Sequence, residues 1–253
     1  VYVAVLQILY KDHHYVAINK PAGLLVHRSP IDRHETRFAV QLLRDQIGQR
    51  VYPLHRLDKP TSGVLVFGLD SDSTQRLAQL FESHCVQKTY VAVVRGHVSE
   101  AMTINHALSY RDDSYDERNH LTEACAQSAI TELEPMAMTE LPIAFGRYTS
   151  MRFSLVKARP RSGRKHQIRR HMKHISHPII GDANHGKGDL NRFVASHFGC
   201  SGLMLAATRL EFIHPFTNQA VIINAKVENN FQHLLNQLGW QTALPDAWHG
   251  ESA

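Results

Sequence analysis

HRLDKPTSG, residues 55–63, runs directly into GVLVFGL, residues 63–69, and these two stretches decide the fold. An unbroken apolar run bounded by turn residues reads as a strand buried on both faces. Pro60 and Gly63 mark a sharp loop ahead of it, and a loop of that kind has a use for an aspartate. It has no need of His55 and Arg56. The loop therefore delivers one carboxylate, Asp58, among cations, at the entrance to a buried strand.

Outward from this point, residues 3–10 and 15–19 read as two strands joined by the turn Lys11–His14, with the Pro/Gly-punctuated loop KPAGLLVHR after them. The spacing of Phe38, Val40, Leu42, Leu43 and Ile47 predicts a helix over 37–47, stopped by Gly48. A second helix follows a cap at Asp70 or Ser71, with Leu77, Leu80, Phe81 and His84 on one face. KTYVAVVRG, residues 88–96, is a strand by its β-branched and aromatic content. Further strands are expected at 151–158, 203–213 and 219–226, and a helix near 228–239. Residues 110–127, YRDDSYDERNHLTEACAQ, are polar and aperiodic and read as a surface insertion. Hairpins and helices mix without a regular βαβ beat. That predicts an α+β fold with flanking helices around a mixed, largely antiparallel central sheet, in one domain over 1–253.

Hydrophobic residues make up 43% of the 253 and charged ones 20%, the balance of a packed globular chain. Cys85, Cys125 and Cys200 are odd in number and widely spaced, which suits a reducing cytoplasm. The opening VYVAVLQILY ends at Lys11, and no later run approaches the roughly 18 apolar residues of a membrane span. The formal charge is +5, and its distribution matters more than its size. Residues 141–181 contain no acid, while ten Lys/Arg fall between Arg147 and Lys173; the rest of the chain has 18 basic against 23 acidic residues. Within RPRSGRKHQIRRHMKH (159–174), Ile168, Met172 and Ile175 would face a core. Arg164, Lys165, Arg169, Arg170 and Lys173 project elsewhere. A solvated helix face usually intersperses acids for pairing, and this one has none, which favours an anionic partner and nucleic-acid phosphate above all.

Other chemistries find little support. Eighteen histidines invite a metal, but His166, His171, His174 and His177 lack an HExxH frame or a nearby acid, and the surrounding cations oppose a divalent ion. RSGRK is no P-loop, no GxGxxG follows a strand, and no cysteine has an evident base partner. A two-carboxylate glycosidase stays open, since sequence alone cannot single out a pair of acids. Asp58 itself is either a turn-capping aspartate or an acid at work on a nucleic acid.

HRLDKPTSGVLVFG resembles the catalytic motif of the RluA-type pseudouridine synthases, H-R-L-D-x-x-T-S-G. INKPAGLLVHRS resembles that family's N-terminal segment and QKTYVAVVRG its second motif. SGRKHQIRRHMKHISHPIIGD resembles its third, and the order agrees from about residue 6 to residue 215. VHRSPIDRHET, LRDQIGQRVYPLHRLDKPTSG and LMLAATRLEFIHPF look most like the TruC subgroup, the tRNA uridine-65 synthases. The resemblance implies a central catalytic cleft and a uridine isomerase acting on tRNA, without the S4 RNA-binding domain. No redox change or group transfer is involved, so no cofactor or metal is expected. Asp58 would be the catalytic carboxylate, as nucleophile or base, Arg169 its ion-pair partner, and Tyr90 the ring that packs against the flipped base and later helps remove the C5 proton. Arg56 would fill the place that base leaves. His55, Arg164, Lys165, Arg170 and Lys173 complete the expected substrate-binding set, in a cytoplasmic monomer. The alternatives are a ribosomal RNA substrate for the same chemistry, or a non-catalytic RNA-binding module.

Overall fold

The computed structural model describes residues 5–28, 34–109 and 126–250. The chain opens with the hairpin β1 (Gln7–Lys11) and β2 (Tyr15–Lys20), then α1 (Ala39–Ile47), β3 (Tyr52–Pro53), β4 (Ser62–Gly68), α2 (Ser71–Glu82) and β5 (Gln87–Arg95). Next come β6 (Met102–Asn105), β7 (Leu108–Ser109), β8 (Ala126–Gln127), β9 (Ile130–Leu141) and β10 (Met151–Pro160). α3 (Gln167–His174), α4 (Gly188–Phe198), β11 (Leu205–Ile213), β12 (Ala220–Asn224) and α5 (Asn229–Gln237) complete it. Of the insertion expected at 110–127, residues 110–125 lie outside the described residues, and the last two form β8.

One sheet runs β1–β2–β4–β11–β5–β10–β9–β6, with β12 beside β11 and β3 beside β4. Among the described residues β4 and β11 are its only parallel strands, joined at Ser62–Ala206 and Gly63–Ala207. The sheet is thus mixed and largely antiparallel, as expected. Alternate residues of β2 and β4 show why their apolar runs are continuous. Val16, Ile18, Leu65 and Phe67 pack with Ala39 and Leu43 of α1. Tyr15, Ala17, Val64 and Val66 pack on the opposite face with Leu77 of α2. Asp70 caps α2, accepting the Ser73 N–H at 2.8 Å.

β9 is the main element that the sequence pattern conceals. Pro135 sits where its register with β10 shifts, and Glu132 and Glu134 interrupt the apolar residues. Those two acids change how the basic stretch is read. Glu134 pairs with Lys157 at 2.8 Å and Glu132 with Arg161 at 2.5 Å, so part of the surplus in sequence is cancelled across the sheet.

Candidate active site

Gly63, Ala207 and Tyr90 lie side by side across β4, β11 and β5. Gly63 has φ 113°, and a Cβ there would stand 2.1 Å from the Ala207 carbonyl oxygen, so only glycine admits this approach. The preceding loop therefore ends against the middle of the sheet, close to Tyr90. Lys20 buckles it from beneath. Its fully buried ammonium donates to the carbonyls of Pro21 and Leu24 at 2.9 Å and of Lys59 at 3.2 Å. Desolvation pushes Lys20 down to about 8, against the charges of Glu228 and Asp58. The Gly23 N–H also donates to Lys59 O, at 2.8 Å, so the NKPAG loop and the HRLDKPTSG loop form one unit.

α3 brings the partner. Ile168 and Met172 enter the core as expected, but Arg169 is buried with them. Its Nη1 donates to Asp58 Oδ2 at 3.0 Å, while Nε and Nη2 donate to Asp182 Oδ2 and Oδ1 at 2.8 Å each. Side-chain exposure is 0% for Asp182, 3% for Arg169 and 27% for Asp58, so of the three only Asp58 has appreciable solvent exposure. Asp182 Oδ1 also accepts the backbone N–H groups of Asn184 and His185 at 2.9 Å. Burial alone would raise the Asp182 carboxyl; the Arg169 bonds and these N–H groups outweigh it and hold it below the usual range. The G-D of HPIIGD carries Asp182, and Lys20 precedes the P-A-G of the first loop. Both are positioning residues that spacing and charge did not single out.

Asp58, Arg169 and Tyr90 line a cleft of about 810 Å³ together with Arg56, Arg164 and His166. Desolvation and then the charge of Asp58 push the Tyr90 phenol up. Arg56 is exposed, and Arg164 Nε donates to Ser128 O at 3.2 Å. His55, expected in the substrate-binding set, lines the same cleft, and its ring is fixed there by two contacts. The ring stacks on Phe81 at 5.0 Å and accepts the Val66 N–H at 3.2 Å. Desolvation, helped by Lys88, pushes it down to about 3, so it is neutral and adds no cation for a phosphate. Arg164 and Lys165 precede α3. Arg170 and Lys173 line a separate, smaller groove of about 350 Å³ with His106 and His174, whose rings stack at 3.7 Å, and Arg170 Nη1 donates to Ser109 O at 3.0 Å. Among the described residues no cluster of three His, Cys, Asp or Glu is placed to hold a metal, and no helix is long and apolar enough to cross a membrane.

Comparison with known proteins gives this geometry a context. The family model described as RNA pseudouridylate synthase matches residues 14–174. The chain is 48% identical over 239 residues to the tRNA pseudouridine synthase C of Vibrio cholerae, covering 94% of this chain and 98% of that one. It is 50% identical over 240 residues to the protein of the same name from Yersinia pestis, at 95% and 93% coverage. Among solved structures, human RNA pseudouridylate synthase domain containing 4 superposes with a TM-score of 0.67 at 25% identity, over 92% of this chain and 93% of that one. With the motifs in place around one cleft, the chain belongs to the RNA pseudouridylate synthase family.

Proposed function

We propose that this chain converts a uridine of tRNA, at position 65, into pseudouridine. The observation that carries the chemistry is the row Asp182–Arg169–Asp58, two buried groups that present one carboxylate to the cleft. Arg169 engages Oδ2 alone, which leaves the other oxygen of Asp58 for the substrate. The arrangement suits a nucleophile on the base or sugar and a base at a sugar C–H alike. Asp182 is saturated and wholly buried, so it cannot supply the second carboxylate of a retaining glycosidase. Tyr90 packs on the extruded base, and Arg56, two residues before Asp58, fills its place in the RNA. Extrusion costs a few kcal/mol, which the phosphate contacts of Arg164, Lys165, Arg170 and Lys173 help offset. The 45–50% identical relatives named for tRNA, together with the subgroup segments, support tRNA over ribosomal RNA. A cytoplasmic monomer that works without metal or cofactor goes with this reading.

The test has two arms. Asp58→Ala should form no pseudouridine while its tRNA affinity stays within about threefold of wild type. Pseudouridine mapping of total RNA, from cells with and without the protein, should show one tRNA position lost. A change confined to ribosomal RNA would overturn the tRNA assignment, and an active Asp58→Ala enzyme would overturn the site.

A further inference from the structure

His166 lines the same cleft but is neither the carboxylate nor its ion-pair partner. It caps the N-terminus of α3 with φ 53° and ψ 27°, in the left-handed region. A non-glycine residue is disfavoured there and persists where its surroundings hold it, commonly at functional sites. A second imidazole holds its ring: His166 Nδ1 and His185 Nε2 are 2.9 Å apart. The His185 backbone N–H donates to Asp182 Oδ1, so the loop that carries this ring and Arg169 are held by one buried carboxylate.

The other nitrogen, His166 Nε2, lies 3.8 Å from Asp58 Oδ2. An Nε2–H facing a carboxylate would close to about 2.8 Å. The longer gap fits the tautomer in which Nδ1–H donates to His185 and the Nε2 lone pair faces the cleft. Burial is the largest influence on both rings, lowering His166 and taking His185 to about 4, so both are neutral at physiological pH.

We propose that His166 is a catalytic residue that accepts the C5 proton during isomerisation, with His185 as its positioning partner. When C5 has bonded to C1′, that carbon carries both the sugar and a hydrogen. Nε2 takes the hydrogen as a proton, and the C–H electron pair re-forms the C5–C6 double bond. The displaced ring electrons settle on N1, which the imidazolium reprotonates directly or through water. One proton leaves C5, one arrives at N1, and no electron is gained or lost. Asp58 stabilises the transient imidazolium. The Tyr90 phenol, pushed up by desolvation and by Asp58, holds its own proton too firmly to compete for this task.

This inference rests on the isomerase reading, and the test separates the two. Asparagine tolerates left-handed backbone, so His166→Asn keeps the cap while removing the base. Its kcat should fall by about 10²-fold or more with KM within about threefold. On tRNA carrying C5-deuterated uridine its isotope effect on kcat should exceed that of wild type, because C5–H cleavage has become rate-limiting. His185→Gln, which retains an acceptor for Nδ1–H, should keep more activity than His185→Ala. A His166→Asn enzyme of near wild-type kcat overturns the proposal, as does one that loses tRNA binding or slows with no gain in isotope effect. If the wild-type chain forms no pseudouridine, the isomerase reading itself falls, and this inference with it.

Discussion

Asp182 shows how much one residue outside the reacting atoms can decide. It accepts Nε–H and Nη2–H of Arg169 and two backbone N–H groups in full burial. Removing one partner of such a pair costs about 3–5 kcal/mol, since it strands the other charge. Asp182→Ala should lose stability of that order in urea denaturation, and Asp182→Asn somewhat less. Because the folded carboxyl sits below its ordinary value of 3.8, its stabilisation is complete at neutral pH and fades as pH drops below that value toward the folded one. The stability gap between wild type and Asp182→Asn should therefore narrow on going from neutral pH to about pH 3. A gap that stays constant would place the effect in packing rather than in charge. Asp58 stood out in the sequence because its neighbours were wrong for a plain turn. Asp182 did not, because an aspartate after glycine is ordinary turn chemistry and its partner on α3 is brought to it by the fold.

At the scale of elements, the legible parts were those with uniform periodicity. β4 and α2 declare themselves by an unbroken apolar run and a capped amphipathic pattern. β9 has proline at its bulge and charges on one face, and α4 offers only Leu190, Val194 and Phe198 as buried positions. The joint between the two active-site loops was hidden for another reason. A buried lysine satisfied by three carbonyls leaves no periodic trace, and charge alone marks Lys20 as a surface residue. Lys20→Met fills the space but strands those carbonyls, which should cost about 1–3 kcal/mol. Asp58 would then lose its aim, so kcat should fall more than KM rises in steady-state assays. A change in KM alone would show that the buckle serves binding. The strand side of the loop is stricter. Gly63→Ala puts a methyl group into the Ala207 backbone, and soluble expression with an intact thermal transition would contradict that geometry.

For the whole molecule, the decisive quantity is where the positive charge remains uncancelled. The acid-free stretch of sequence spreads over β10, the following loop and α3, and the fold sorts its cations into two groups. Lys157, Arg159 and Arg161 meet Glu132 and Glu134 on the sheet, Arg152 meets Glu140, and Arg169 meets two aspartates. Arg164, beside the cleft, and Arg170 and Lys173, in the neighbouring groove, donate instead to backbone carbonyls or stand exposed, so their charge is open to a polyanion. Each phosphate contact releases a counterion and adds about 0.7–0.9 to the slope of log affinity against log salt. The double variant Arg170→Ala, Lys173→Ala should therefore bind tRNA more weakly and with a slope shallower by about 1–2. The control is Lys157→Ala with Arg161→Ala, which removes the same formal charge from the paired group. Its slope should change far less, since those cations already hold carboxylates. Equal effects in the two doubles would mean that RNA responds to net charge alone, whereas a difference would trace the path of the strand past the cleft and along α3.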